Sequence, residues 1–502
     1  MEALIMATQL QGTEPLTPTV KPHPLAGSLR KVEPRRLSLS LLIALVVGSM
    51  IGSGIFSLPQ NMAASAGAGA ILIGWLITGA GMLSLALVYQ MLSNRQPELD
   101  NGVFAYARAL GGEFLGFNSA WGYWISAWIG NVSYLVILFA ALSYFFPLFG
   151  EGNNKAAIAG ASVVLWALHW MILRGMRTAA KANAMTTIAK VVPLLLFIGL
   201  VIAGFSKDTF LMDFWGAPAL GSTLDQVKST MLVTVWVFIG IEGANVFSAR
   251  AAKRADVGRA TVIGFILTLL LLIAVSLLSL GILRQPELAA LKNPSMAGVL
   301  EAVAGPWGAV LISIGLIVSV GGALLAWTLL AAESVFTPAK EKVMPRLLAS
   351  ENQHGAPANA LWITNGCIQL FLLLTLYSSA SYLALISLAT SMILLPYLFS
   401  GLYALKMTWQ GQTYAGHRGL QLRDMAIALV ATGYCVWLLY AAGPRYMLLS
   451  ALLYAPGSLI YLSAQRARTD RALNGFGWGL LLVIWVAAIF AGWMLWSGQL
   501  SL

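Results

Sequence analysis

The residues best suited to chemistry in this sequence are two glycine clusters and a few isolated charges. Gly48-Ser49-Met50-Ile51-Gly52-Ser53-Gly54 places three glycines within seven residues, and Phe238-Ile239-Gly240-Ile241-Glu242-Gly243 brackets a carboxylate with two more. Both clusters lie in long apolar runs. A glycine costs a helix interior about 1 kcal/mol relative to alanine, and each backbone group left unpaired in lipid costs several more. A helix broken there would offer free N–H and C=O groups to a ligand. Glycine clusters also allow helices to pack closely. Occurring twice, and once beside Glu242, they favour a binding site. Intramembrane ionisable groups are costly and point to function. For Glu242 the open readings are a proton-linked group with a pKa raised by burial and a hydrogen-bonding staple of the broken helix. Lys190, three residues before Pro193, is the other buried-looking charge, with Glu333 as a candidate partner or a simple interfacial charge.

The elements that must carry these residues are membrane helices. Of 502 residues, 59% are hydrophobic and 10% charged, against about 25% charged in an ordinary soluble chain. Apolar stretches, most near the length that spans a bilayer, fall at 37–65, 69–93, 114–147, 156–173, 185–205, 228–249, 260–283, 307–335, 358–377, 380–405, 424–442, 446–463 and 474–497. The third is expected to begin early, near Val103, as one tilted helix. Residues 295–304 read as a short surface helix ended by Gly305-Pro306. The proline-bearing residues 1–36 read as a disordered cytoplasmic tail and not as a signal peptide.

Charge placement orients the spans. With the N-terminus in the cytoplasm, 24 of the 30 Lys and Arg residues fall on the inner side and 6 on the outer side, as the positive-inside rule requires. Thirteen spans then put the C-terminus outside. The net charge of +11 is thus a topology signal, with anionic lipid headgroups as the neighbours of the basic loops, and nucleic acid is not an expected partner. Cys367 and Cys435 fall inside spans, so neither a disulfide framework nor a metal site is expected.

The two breaks sit at matching places in two halves. Gly52 pairs with Gly240, Trp128 with Trp327 and Pro193 with Pro396, each about 190–200 residues apart. Spans one and six, three and eight, and five and ten then correspond. Five helices per half force opposite topologies, giving a first inverted repeat over 37–206, a second over 224–407 and accessory helices over 422–502. Paired interrupted spans are a pointer to a secondary transporter site.

The runs GSMIGSGIFSLPQNMA (48–63), WGYWISAWIGN (121–131), VWVFIGIEGA (235–244) and WTLLAAE (327–333) resemble the basic amino acid/polyamine antiporters of the amino acid–polyamine–organocation superfamily. Among its members the resemblance is strongest to the bacterial arginine/ornithine antiporters. It runs from about Leu37 to the C-terminus. It implies an all-α inner-membrane protein of the LeuT-type fold that exchanges arginine for ornithine without a cofactor. The implied pocket puts the substrate carboxylate at the N–H groups near Ser53 and Gly54 and at the Ser53 hydroxyl, where a half-helix N-terminus favours an anion. The carbonyls of Met50, Trp236 and Ile239 would take the α-ammonium. Trp327, Asn131 and the carbonyls of Ser126 and Ala127 would take the distal cation. Trp236 would cover the site as a middle gate, and Tyr123, Glu242 and Tyr397 would close the cytoplasmic path.

By the same resemblance Lys190 replaces a sodium ion between helices one and eight. The other reading is a lysine snorkelling at the cytoplasmic end. Trp327 and Asn131 have plainer readings as a packing aromatic and a helix-to-helix hydrogen bond. Ser49, Ala389 and Glu333 depart from the arginine/agmatine pattern, which has asparagine, serine and glutamine there. Oligomeric state is not legible, and a homodimer stays open.

Three other classes compete. A proton-coupled carrier for lysine, other cationic amino acids or polyamines would share the fold and pocket. A channel lacks a filter-like loop here. An enzyme is not expected, because the sequence has neither a His-Glu-x-x-His run nor a phosphate loop, and His169, beside Trp170, reads as interfacial.

Overall fold

A chain this apolar must satisfy its backbone within helices or closed barrels, because hydrocarbon supplies no partners. It takes the first route. The computed structural model describes residues 38–99, 102–174, 179–241, 254–378, 381–466, 473 and 475–500, and these contain helices and turns without a strand. In chain order the helices are α1 (Leu39–Met50), α2 (Gly54–Ala63), α3 (Ala68–Arg95), α4 (Val103–Gly111), α5 (Glu113–Leu142), α6 (Lys155–Leu173), α7 (Ala179–Gly204) and α8 (Lys207–Leu211). There follow α9 (Thr223–Trp236), α10 (Arg254–Ser279), α11 (Gln285–Ala289), α12 (Ser295–Ala304), α13 (Pro306–Lys340), α14 (Ala358–Ser378), α15 (Tyr382–Gln410), α16 (Arg418–Arg466) and α17 (Gly475–Trp496).

Among the described residues nine helices are long and apolar enough to cross a bilayer, or ten with α1 and α2 as one bent span. Thirteen spans are consistent with this set. α16 covers two of them, and the fifth and sixth fall on α7 and α9, both bordered by undescribed residues.

Burial grades across the bundle. α5 is buried along nearly its whole length and forms the centre, packed on α13 and α15. α1 packs on α10 and α3 on α9, while α13 packs on α7. At the edge, α17 leans on α16 and leaves Trp478, Leu482, Val486, Ile489 and Trp493 exposed. A helix apolar on all sides suits a lipid-facing position.

Two expectations change in detail, and one is kept. The third span does not begin at Val103. Gly112, at φ 94°, separates α4 from α5, a conformation that glycine adopts without a Cβ penalty. Spans eleven and twelve stay distinct within α16, divided at Gly443 (φ 70°, ψ 172°), just before Pro444. The 295–304 helix ends at Gly305 as expected, but it is no loose surface piece: Met296, Val299 and Leu300 are fully buried, and it packs on α2, α7 and α13.

The end of α3 is tied to the α15–α16 turn by one arginine. Arg95 pairs with Asp424 at 3.2 Å, donates to the Thr413 carbonyl at 3.1 Å, and lies 3.7 Å over the Tyr414 ring. The Tyr414 hydroxyl donates to the same Asp424 oxygen at 3.0 Å. Burial, and after it the Asp424 carboxylate, push the Tyr414 pKa above its ordinary value.

Candidate functional site

The first glycine cluster breaks its helix. α1 ends at Met50, α2 starts at Gly54, and the two meet at 48°. Close approach explains the glycines between them. A Cβ on Gly52 would lie 2.8 Å from the Tyr134 hydroxyl, and one on Gly54 would lie 2.7 Å from Val237 Cγ1 and 2.9 Å from Trp236 Cδ1. The first N–H groups of any helix lack intrahelical partners. Here Phe56 reaches only as far back as the Ser53 carbonyl, at 3.1 Å. Ser53 stands at the N-cap of α2, yet its side chain makes no capping bond. It is fully buried and pairs instead with the Tyr382 hydroxyl at 3.0 Å.

The second cluster breaks too. After Trp236 the chain tightens, with Phe238 N–H bonded to the Val235 carbonyl at 2.9 Å and Ile239 N–H to the Trp236 carbonyl at 3.3 Å. Gly240 follows at φ 107°, where a Cβ would sit 3.4 Å from the Ser49 carbonyl and 3.5 Å from the Trp327 ring. The two breaks and Trp327 therefore converge on one place.

That place contains a small cavity, of about 10 Å³. Ser126, Ala127, Gly130, Tyr134, Trp236, Ile239 and Trp327 line it. Ser126, Gly130 and Tyr134 recur at four-residue spacing, one face of α5. Gly130 lets the Trp236 ring approach, since a Cβ there would be 3.0 Å from it, and the Tyr134 and Trp236 rings are 5.9 Å apart. Asn131, fully buried beside this face, makes a long 3.5 Å contact to the Thr328 hydroxyl. Its side-chain carbonyl has no donor among the described residues, which leaves an acceptor for a cation. Met50, at the end of α1, is buried.

Lys190 does not snorkel. It is 2% exposed, and its ammonium donates to the carbonyls of Ile51 at 3.1 Å and Gly48 at 3.5 Å. Lys190 is one of the 24 basic residues counted on the inner side, and it lies inside the bundle instead of in a loop. Glu333 is exposed and is not among these partners. Tyr123 is buried on α5, and Tyr397 is fully buried with its ring 6.1 Å from that of Tyr89. Glu242 lies outside the described residues. His169 packs inside the protein. It is fully buried, 3.0 Å from Asn365 and against the Trp362 ring at 4.2 Å.

A broken helix pair around an aromatic-lined cavity is what a small zwitterionic or cationic ligand needs. A family model described as amino acid permease matches residues 37–465. The chain belongs to that family. It is 55% identical to the arginine/ornithine antiporter of Pseudomonas aeruginosa, over 93% of this chain and 99% of that one. It is 43% identical to the L-lysine transport protein of Corynebacterium glutamicum (93% and 97% covered) and 41% identical to the arginine/agmatine antiporter of Chlamydia pneumoniae (87% and 91%). The chain is thus a multi-pass membrane protein of a transporter family.

For this amino acid permease the sequence reading named Ser126, Ala127, Trp236, Ile239 and Trp327, which line the cavity, and missed Gly130, Tyr134 and Tyr382. Tyr134 carried a signal, since it continues the α5 face that Ser126 begins. Tyr382 carried none, because only the fold brings it to Ser53.

Proposed function

We propose that the chain exchanges arginine for ornithine, one for one, across the bacterial inner membrane by alternating access. One observation carries this reading most of all. The cavity between two broken helices is walled by Tyr134, Trp236, Ile239 and Trp327 and by small residues, with no described carboxylate in its lining. A guanidinium or ammonium on an indole face gains roughly 0.5–2 kcal/mol. That contact holds a cation without the tight pairing that would slow its release. The 55% identity to an arginine/ornithine antiporter supports this choice of substrates.

In this reading the open N–H groups at Ser53 and Gly54 receive the carboxylate, and the carbonyls of Met50, Trp236 and Ile239 take the α-ammonium. Trp327, Asn131 and the Ser126 and Ala127 carbonyls meet the distal cation. Trp236 covers the substrate, and Tyr123, Glu242 and Tyr397 close the inner path. Lys190 serves as a fixed cation holding the first break.

Two inverted repeats supply the moving parts. Their support is a symmetric contact pattern. Exchanging spans one to five with six to ten turns the α1–α10 contact into α9–α3, and α5–α15 into α13–α7, and all four are present. The charge bias supports an N-terminus in the cytoplasm.

Labelled arginine entry into proteoliposomes preloaded with ornithine, lysine, agmatine or nothing tests the function. Entry is expected with ornithine and absent from empty vesicles. The lysine-transporting relative at 43% identity motivates the second reading, a proton-coupled uptake carrier, which would fill empty vesicles when a pH gradient is imposed.

A further inference from the structure

An N-cap serine normally turns its oxygen onto the N–H groups of its own helix. Ser53 makes no such bond, and its hydroxyl meets Tyr382, 329 positions away in sequence and buried at 6% exposure. Tyr382 is the first residue of α15, held there by the Ser381 side chain, which accepts from the Ala384 N–H at 3.2 Å. Two hydroxyls sharing one hydrogen bond use one proton between them, and the Trp236 indole N–H and the Ser57 hydroxyl stand beside the Tyr382 oxygen as further donors. Beside it stands the Tyr134 hydroxyl, which makes no hydrogen bond to any described residue. It lies 2.8 Å from where a Cβ on Gly52 would be, on a side chain that lines the cavity and is 6% exposed. The start of α2 is therefore surrounded by donors in excess: its own first N–H groups, the Ser53–Tyr382 pair and Tyr134.

An ionised carboxylate only accepts, so it matches this set. An amine without a carboxylate leaves the same donors buried and unpaired, and a site built to hydrogen-bond a group rejects analogues that lack it. We infer that Tyr382 is a specificity-determining residue, which reads the α-carboxylate together with Ser53 and excludes decarboxylated amines. The inference rests on the proposed amino acid exchange and goes further, since Tyr382 belongs to neither glycine cluster. It gives the site a reason to prefer arginine and ornithine over agmatine and putrescine, which carry the same distal cations.

The test is equilibrium binding of arginine and agmatine to purified wild type, Tyr382→Phe and Ser53→Ala. Wild type should bind arginine at least about tenfold more tightly than agmatine, the scale of one hydrogen bond to a charged group. Tyr382→Phe should weaken arginine about tenfold or more, leave agmatine within about twofold, and so collapse the ratio. Ser53→Ala should collapse it too, and it serves as the second variant if Tyr382→Phe does not fold. Equal losses for both ligands, or a wild type that binds them alike, would overturn the inference. The exchange reading fails separately. If ornithine-loaded vesicles take up no arginine while the ratio still collapses in the variants, Tyr382 keeps its role and the exchange proposal falls. If no cationic amino acid binds, both fall.

Discussion

The ammonium of Lys190 lies 3.1 Å from the carbonyl of Ile51, the first residue after α1 ends. A lysine ammonium has three donors and no acceptor, and the break frees carbonyls that no helix satisfies. Lys190, on α7, therefore pairs carbonyls at a bend that the glycines permit. Lys190→Met is expected to leave the Ile51 and Gly48 carbonyls unpaired. A buried unsatisfied group costs about 1–3 kcal/mol. The variant should show a lower thermal midpoint in detergent and at least about tenfold slower exchange in both directions. Wild-type exchange in this variant would mean that the ammonium is idle.

How far the site was legible follows from distance along the chain. The breaks were visible because a cluster such as Gly48, Gly52 and Gly54 announces itself within seven residues. The cavity face of α5 was partly visible, because Ser126, Gly130 and Tyr134 obey one helical period. Tyr382 was not. Nothing local marks a tyrosine at a helix start as the partner of a serine 329 positions earlier. The partners of His169 were hidden for the same reason, since Asn365 and Trp362 lie far along the chain on α14. The Gly443 break inside α16 shows the converse: a local Gly-Pro pair marks where spans eleven and twelve part.

Gly54 tests the packing of the two breaks. A Cβ there meets Val237 Cγ1 at 2.7 Å, and Val237 is β-branched and stiff. Gly54→Ala should push α2 from the end of α9 and reduce arginine exchange at least about tenfold with the protein still folded. Near wild-type exchange would show that the two elements have room to separate.

Trp327→Leu keeps apolar bulk and removes the indole. Arginine binding is expected to weaken by about 0.5–2 kcal/mol, the range of a cation–π contact. Citrulline, isosteric but neutral at its distal group, should lose less. Parallel losses for the two ligands would reduce Trp327 to a packing residue.

Tyr414 lies outside the spans, and its raised pKa makes an alkaline prediction. An unfolded tyrosine ionises near about pH 10, while the folded one holds its proton longer. The unfolded state therefore loses protons first, and the contribution to stability is complete below about pH 10 and lost as pH rises beyond it. Tyr414→Phe should reduce the fall in melting temperature between neutral and strongly alkaline buffer. An unchanged slope would remove Tyr414 from the titration.

The final prediction separates exchange from uptake. Arginine and ornithine each carry one net positive charge near neutral pH, so a one-for-one swap moves no net charge. A membrane potential works on moving charge at about 2.3 kcal/mol per charge per 100 mV, and here that product is zero. Arginine entry into ornithine-loaded vesicles should therefore hold its rate within about twofold when a potassium diffusion potential of either sign is imposed. Lys190→Met should slow this entry without making it voltage-dependent, because a fixed cation does not travel. Glu242→Gln should move the pH profile and leave the one-to-one ratio intact. A proton-coupled carrier behaves differently at each point. It concentrates arginine in empty vesicles under a pH gradient, responds to potential, and loses that accumulation when its proton-bearing group is neutralised. Concentrative uptake into empty vesicles would replace the exchanger reading with the carrier.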